Sequence, residues 1–175
     1  LLESVVGGER FGRYSFIGLS AETRLEVRGE VCTEFRGTQV VSEQRVRDPL
    51  GFVAGYLARF RVVQDASLPR FCGGLVGYFG YDTVRYVERR LAGVRKPDEL
   101  DTPDILLLIS EEIAIVDNLS GKLTLVVYAE PGKPGAFQAA QARLKQLLAK
   151  LRDPVAIPPD ARGPSQPAVS GFGQA

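Results

Sequence analysis

The stretch DILLLISEEIAIVDNLSGKLTLVVY, residues 104–128, decides the fold. Its first run, DILLLIS, is almost continuously apolar, the pattern of a strand covered on both faces. The next two, EIAIVD and KLTLVVY, are joined by Asn118-Leu119-Ser120-Gly121. Those residues favour a tight turn, so the pair reads as a β-hairpin. Lys122 follows a glycine, but no earlier glycine stands at the spacing of a phosphate-binding loop.

Moving upstream, LPRFCGGLVGYFGYD (68–82) alternates Gly73, Gly74, Gly77 and Gly80 with Leu75, Val76, Tyr78 and Phe79. Glycines inside a strand mark close approach by another backbone or a ligand. Neither GxGxxG nor GxxxxGK[ST] is present, so the reading is tight packing beneath a helix or another sheet. Tyr81-Asp82-Thr83 then starts a short helix through Arg89, with Asp82 as its cap. Before this block, Asp48-Pro49 opens an amphipathic helix of about three turns. Its apolar positions are Leu50, Val53, Leu57 and Phe60. Earlier still, TRLEVRG (23–29) has the period of a strand with one wet face: Leu25 and Val27 inward, Arg24, Glu26 and Arg28 outward. VCTEFR (31–36) and TQVVS (38–42) continue a meander through turns at Gly29-Glu30 and Gly37-Thr38.

Downstream of residue 128, a proline- and glycine-rich break precedes a second helix. It carries Phe137, Ala140, Leu144, Leu147, Leu148 and Leu151 on one face. Lys150 and Arg152 suit its C-terminal end. From Asp153 the sequence holds five prolines (154, 158, 159, 164 and 167) and reads as a linker. The fold class is therefore α+β: antiparallel sheets, built of meanders and hairpins, with two main helices packed on the outer faces.

Composition bounds the function. The 175 residues fit one domain, at roughly 100–200 residues each. With 22 basic and 21 acidic residues, the net charge of +1 gives no electrostatic case for nucleic acid or an anionic membrane. No apolar run approaches the ~20 residues that span a bilayer. The opening has no basic segment of a secretory signal. The absence of histidine removes Ser-His-Asp and Cys-His nucleophile systems. Cys32 and Cys72 lack the four-ligand pattern of structural zinc and read as reduced thiols, with a disulfide unsupported. The chain begins without methionine inside a strand-like run, which reads as a segment of a larger protein.

That opening, LLESVVGGERFGRYSFIG (1–18), is two short apolar runs joined by a charged glycine-rich turn. Glu3, Ser4, Arg13, Tyr14 and Ser15 stand inside the runs. Two readings are open. These groups face solvent on an edge, or they face each other across a pocket for a small polar ligand.

LLES, GRYSFIG, FCGGLVGYFGYDTVRY and the TPDILLL to VVYA hairpin, in this order, resemble the N-terminal domain of anthranilate synthase component I. The resemblance runs from Leu1 to about Leu151. It implies a regulatory domain at 1–152, within a larger layered fold of chorismate-using enzymes, and a linker at 153–175 leading to an absent C-terminal catalytic domain. The parent would be a cytoplasmic lyase of tryptophan biosynthesis, converting chorismate and glutamine to anthranilate, pyruvate and glutamate. Its magnesium and catalytic residues would lie in the missing domain, so no catalytic or metal-binding residue is assigned here. Its partner would be a glutamine amidotransferase subunit, component II.

The resemblance further implies half of an L-tryptophan feedback-inhibition site. Ser4 matches the effector-contacting serine, and Glu3 is its neighbour in the motif. Arg13, Tyr14 and Ser15 would lie alongside. A zwitterion needs acceptors for its ammonium and donors for its carboxylate. Glu3 or a strand carbonyl would accept, while Ser4, Arg13 and backbone N–H groups would donate. Two alternatives share features of this pattern: aminodeoxychorismate synthase component I, and a stand-alone binding or interaction domain.

Overall fold

The computed structural model describes residues 1–3, 12–63, 65–91, 93 and 100–154. Among the described residues, eight strands form two antiparallel sheets. The larger has the order β4-β3-β2-β6-β5, built from β2 (Thr23–Arg28), β3 (Val31–Arg36), β4 (Gln39–Arg45), β5 (Gly74–Phe79) and β6 (Ile105–Ser110). The smaller has the order β1-β7-β8, from β1 (Tyr14–Gly18), β7 (Glu112–Asp117) and β8 (Lys122–Val127). Only Glu111 separates β6 from β7, so the stretch that opened the sequence analysis belongs to both sheets. The expected α+β class is what forms.

Period-2 alternation sets the larger core. Leu25 and Val27 of β2 stand opposite Leu107 and Ile105 of β6, and all four are buried. Helix α1 (Pro49–Leu57) lies over them. The Asp48 carboxylate caps it by accepting from Gly51 N at 2.8 Å, and Pro49 takes the first position, as expected. The buried face differs from the expected one. Pro49, Val53 and Tyr56 point inward, whereas Leu57 and Phe60 are exposed. The helix stops at Leu57, short of Phe60. The Tyr56 hydroxyl reaches into the sheet and donates to Glu34 Oε1 at 3.0 Å. Burial first, then this carboxylate, push the phenol up to about 12. Burial also raises the Cys32 thiol to about 11. Both cysteines are free.

Two readings of the strands need correction. The run ILLLIS is not covered on both faces: Leu107 is 3% exposed, but its neighbour Leu108 is 38% exposed. The glycines of β5 do not lie beneath a helix. A Cβ at Gly77 would collide with the carbonyl oxygen of Leu106 on the paired strand, and one at Gly80 would stand 3.0 Å from Asp104 O. At these two positions the close approach is to the partner ladder itself, while Gly73, just before β5, faces the end of the other sheet, where a Cβ would stand 2.5 Å from the Tyr128 ring. Past β5, residues Tyr81–Thr83 form a 3-10 turn leading into α2 (Val84–Val87). Asp82 does not cap it; its carboxylate pairs with Arg85 at 3.1 Å.

In the smaller sheet, α3 (Ala136–Lys150) lies against β8. Arg143 forks onto Glu112 at 2.8 and 2.9 Å. The expected apolar stripe is covered only in part. Leu147 is buried, whereas Phe137, Leu148 and Leu151 are exposed. The second helix thus covers one line of the sheet rather than a full face.

Candidate functional site

Strand β1 is the centre of the candidate site. One edge pairs with β7, matching Tyr14 to Asp117 and Ser15 to Val116. Its other edge receives the chain's beginning. Leu2 N donates to Phe16 O at 2.8 Å, and Phe16 N donates to Leu2 O at 2.9 Å. This bridge brings the LLES and RYSF motifs side by side, sets Glu3 beside Ser15, and makes β1 an interior strand at that point.

Side chains alternate along β1, which sorts the expected site residues onto two faces. Ser15 is on one face and is 5% exposed. Its hydroxyl donates to Glu3 Oε1 at 3.3 Å. Tyr14 and Phe16 are on the other face, their rings 6.1 Å apart. Phe71, from the segment before β5, meets Phe16 edge-on at 5.2 Å. Arg13 joins the Tyr14 side, its guanidinium 4.9 Å from that ring centre. Ser4 lies outside the described residues. Of the expected residues, the fold thus joins Glu3 to Ser15 directly and sets Arg13 with Tyr14 separately.

The turn after β7 supplies what the sequence reading missed. Asp117 takes a two-pronged bond from Arg13, Nε to Oδ1 at 3.1 Å and Nη2 to Oδ2 at 2.8 Å. It also accepts the amide of Leu119 at 3.1 Å. The Arg13 guanidinium, chiefly, holds the Asp117 carboxyl far below the usual carboxylate range, and Arg13 is raised in return. Two donors of the Arg13 fork are therefore occupied within the protein. Asn118 reaches the other face. Its Nδ2 donates to Ser15 Oγ at 3.0 Å and to Gly12 O at 3.2 Å, while its backbone N–H donates to Arg13 O at 2.7 Å. The local signal was only Asn-Leu-Ser-Gly turn chemistry. Finding Asn118 needed the β1–β7 register, which sets it opposite Arg13.

Chemically, the cluster offers a carboxylate on a strand edge, a buried hydroxyl and an amide that orients it. Among the described residues, no three histidine, cysteine or carboxylate side chains gather to hold a metal. Among the described residues, no helix is long and apolar enough to cross a membrane.

No family model matches the chain. Relatives do. Anthranilate synthase component 1 of Neisseria meningitidis is 48% identical over 177 aligned residues, covering 99% of this chain and 36% of the relative. The Pseudomonas aeruginosa protein of the same name is 49% identical, covering 89% and 32%. Among solved structures, the crystal structure of anthranilate synthase component I from Streptococcus pneumoniae superposes with a TM-score of 0.65 at 25% identity, covering 89% of this chain and 32% of that one. By sequence along nearly its whole length, and by fold, the chain is related to anthranilate synthase component 1, and it spans about a third of the length of the curated relatives it matches.

Proposed function

We propose that this chain is the N-terminal regulatory domain (1–152, with a linker from 153) of an anthranilate synthase component I, and that it carries half of an L-tryptophan feedback site. The observation that carries the reading is the Leu2–Phe16 bridge, which sets Glu3 beside Ser15 in a chain 48% identical to the Neisseria meningitidis protein. The parent would turn chorismate and glutamine into anthranilate, pyruvate and glutamate in the cytoplasm. It would work with a glutamine amidotransferase subunit and with magnesium held by the catalytic domain. The domain itself catalyses nothing; it senses.

An effector changes activity only by binding two states differently. Tryptophan seated against Glu3 and Ser4, at the junction with the catalytic domain, would favour an arrangement that receives chorismate poorly. The test is the full-length protein, assayed for anthranilate from chorismate and glutamine with and without tryptophan. Tryptophan-inhibited anthranilate formation supports the reading, and absence of anthranilate overturns it. Ser4→Ala should raise the half-inhibiting tryptophan concentration about tenfold, the equivalent of about 1.4 kcal/mol. Unchanged inhibition would remove Ser4 from the site.

A further inference from the structure

We infer that Asn118 is a positioning residue of the effector site, fixing the direction of a hydrogen-bond relay that ends on Glu3 and so selects a ligand with a primary ammonium group. The inference rests on the regulatory reading above and deepens it.

The argument is one of donors and acceptors. A side-chain amide nitrogen has two protons, and a serine hydroxyl has one proton and two lone pairs. Both Asn118 Nδ2 protons have acceptors: Gly12 O at 3.2 Å and Ser15 Oγ at 3.0 Å. With a proton arriving at Ser15 Oγ, the serine's own proton points away from Asn118. It goes to Glu3 Oε1 at 3.3 Å. Every link therefore runs one way, from amide to hydroxyl to carboxylate. Ser15 is 5% exposed, so water does not readily replace either partner. The relay ends on an acceptor-only group at the protein surface. Because Glu3 takes the hydroxyl on one oxygen, the carboxylate is held in one orientation for a cationic donor. An ammonium answers that demand, and a ligand carboxylate does not.

The second face bears on the same point. Arg13, the nearby cation expected to meet a ligand carboxylate, has Nε and Nη2 on Asp117. Asp117 and Asn118 are consecutive. One turn thus engages Arg13 internally and aims Glu3 outward.

The test uses the full-length protein and two probes, L-tryptophan and indole-3-propionate, which keeps the ring and carboxylate but lacks the ammonium. Affinities are measured by calorimetry for the unaltered protein, Asn118→Leu, Ser15→Ala and the double variant. Asn118→Leu should weaken tryptophan about tenfold, the scale of one hydrogen bond to a charged group, and leave indole-3-propionate unchanged. Ser15→Ala cuts the relay without touching the Asn118–Gly12 bond. It guards against an Asn118→Leu protein that does not fold. The double variant should lose no more than either single one, since all break one chain of bonds. Equal loss for both probes would make Asn118 a scaffold residue and overturn the inference, as would no loss for either. An unaltered protein that binds no tryptophan overturns the regulatory reading itself, and the relay falls with it.

Discussion

In the five-stranded sheet, the core rests on Leu25, Val27, Cys32 and Ile105, while the buried hydroxyls of Thr33 and Ser110 keep partners, Thr33 on Glu43 at 3.3 Å and Ser110 on Glu112 O at 3.5 Å. In the three-stranded sheet, Ile113 and Ile115 lie on the Phe16 face, and the Ser15 hydroxyl is buried on the opposite face with two side-chain partners, Glu3 and Asn118. Burial favours the apolar part of both, at about 25 cal/mol per Å² of apolar surface. The buried hydroxyls of both are tolerated because each has a partner, since an unpaired one costs about 1–3 kcal/mol. The larger sheet is thus a support whose covered face is closed by α1. The smaller one keeps polar groups on a strand that the chain's opening segment completes. The difference lies in Ser15, whose two side-chain partners come from the opening segment and from the turn after β7.

Four substitutions can break or sharpen this contrast. The largest effect is expected within one strand. Leu107→Ala should cost about 3 kcal/mol in denaturant unfolding, the usual scale for a buried leucine. Leu108→Ala, its half-exposed neighbour, should cost less than about 1 kcal/mol. Equal costs would mean that the second face of the sheet is covered. Next, Gly77→Ala should cost about 2 kcal/mol, because the new methyl meets the backbone of β6 rather than a yielding side chain. An unchanged unfolding midpoint would refute that contact.

The smallest effect is expected at Asp117, and it depends on pH. Its folded carboxyl is depressed, so its contribution is present above the unfolded value of about 3.9 and is lost as pH falls through the lower folded value. Asp117→Asn should therefore melt below the unaltered protein at neutral pH, with the gap closing under strong acid. A gap that persists unchanged into acid would show that Arg13 is not the cause.

Much of the support was legible in sequence, because its patterns are local. The alternation in Thr23–Arg28 named the buried pair Leu25 and Val27, and Asp48-Pro49 named the start of α1. ILLLIS misled because continuous hydrophobicity does not say how many faces are covered. Leu106 and Leu108 are as apolar as Leu107, and only the arrangement of layers tells them apart. The stripe on α3 misled for the same reason. At the candidate site, the family resemblance singled out Glu3 and Ser15, and the fold sets these two side by side. Asn118 was not legible, because its role depends on register across 103 residues of chain. No window of sequence contains both partners.

The single residue between β6 and β7 has a mechanical meaning. The peptide plane is stiff, so Glu111 brings only two soft backbone angles to the join. Its carbonyl is also tied, accepting the amide of Tyr128 at 3.0 Å. A joint so short works as a crank rather than a hinge. It couples the direction of β7 to that of β6 and so ties the smaller sheet to the larger at one fixed join.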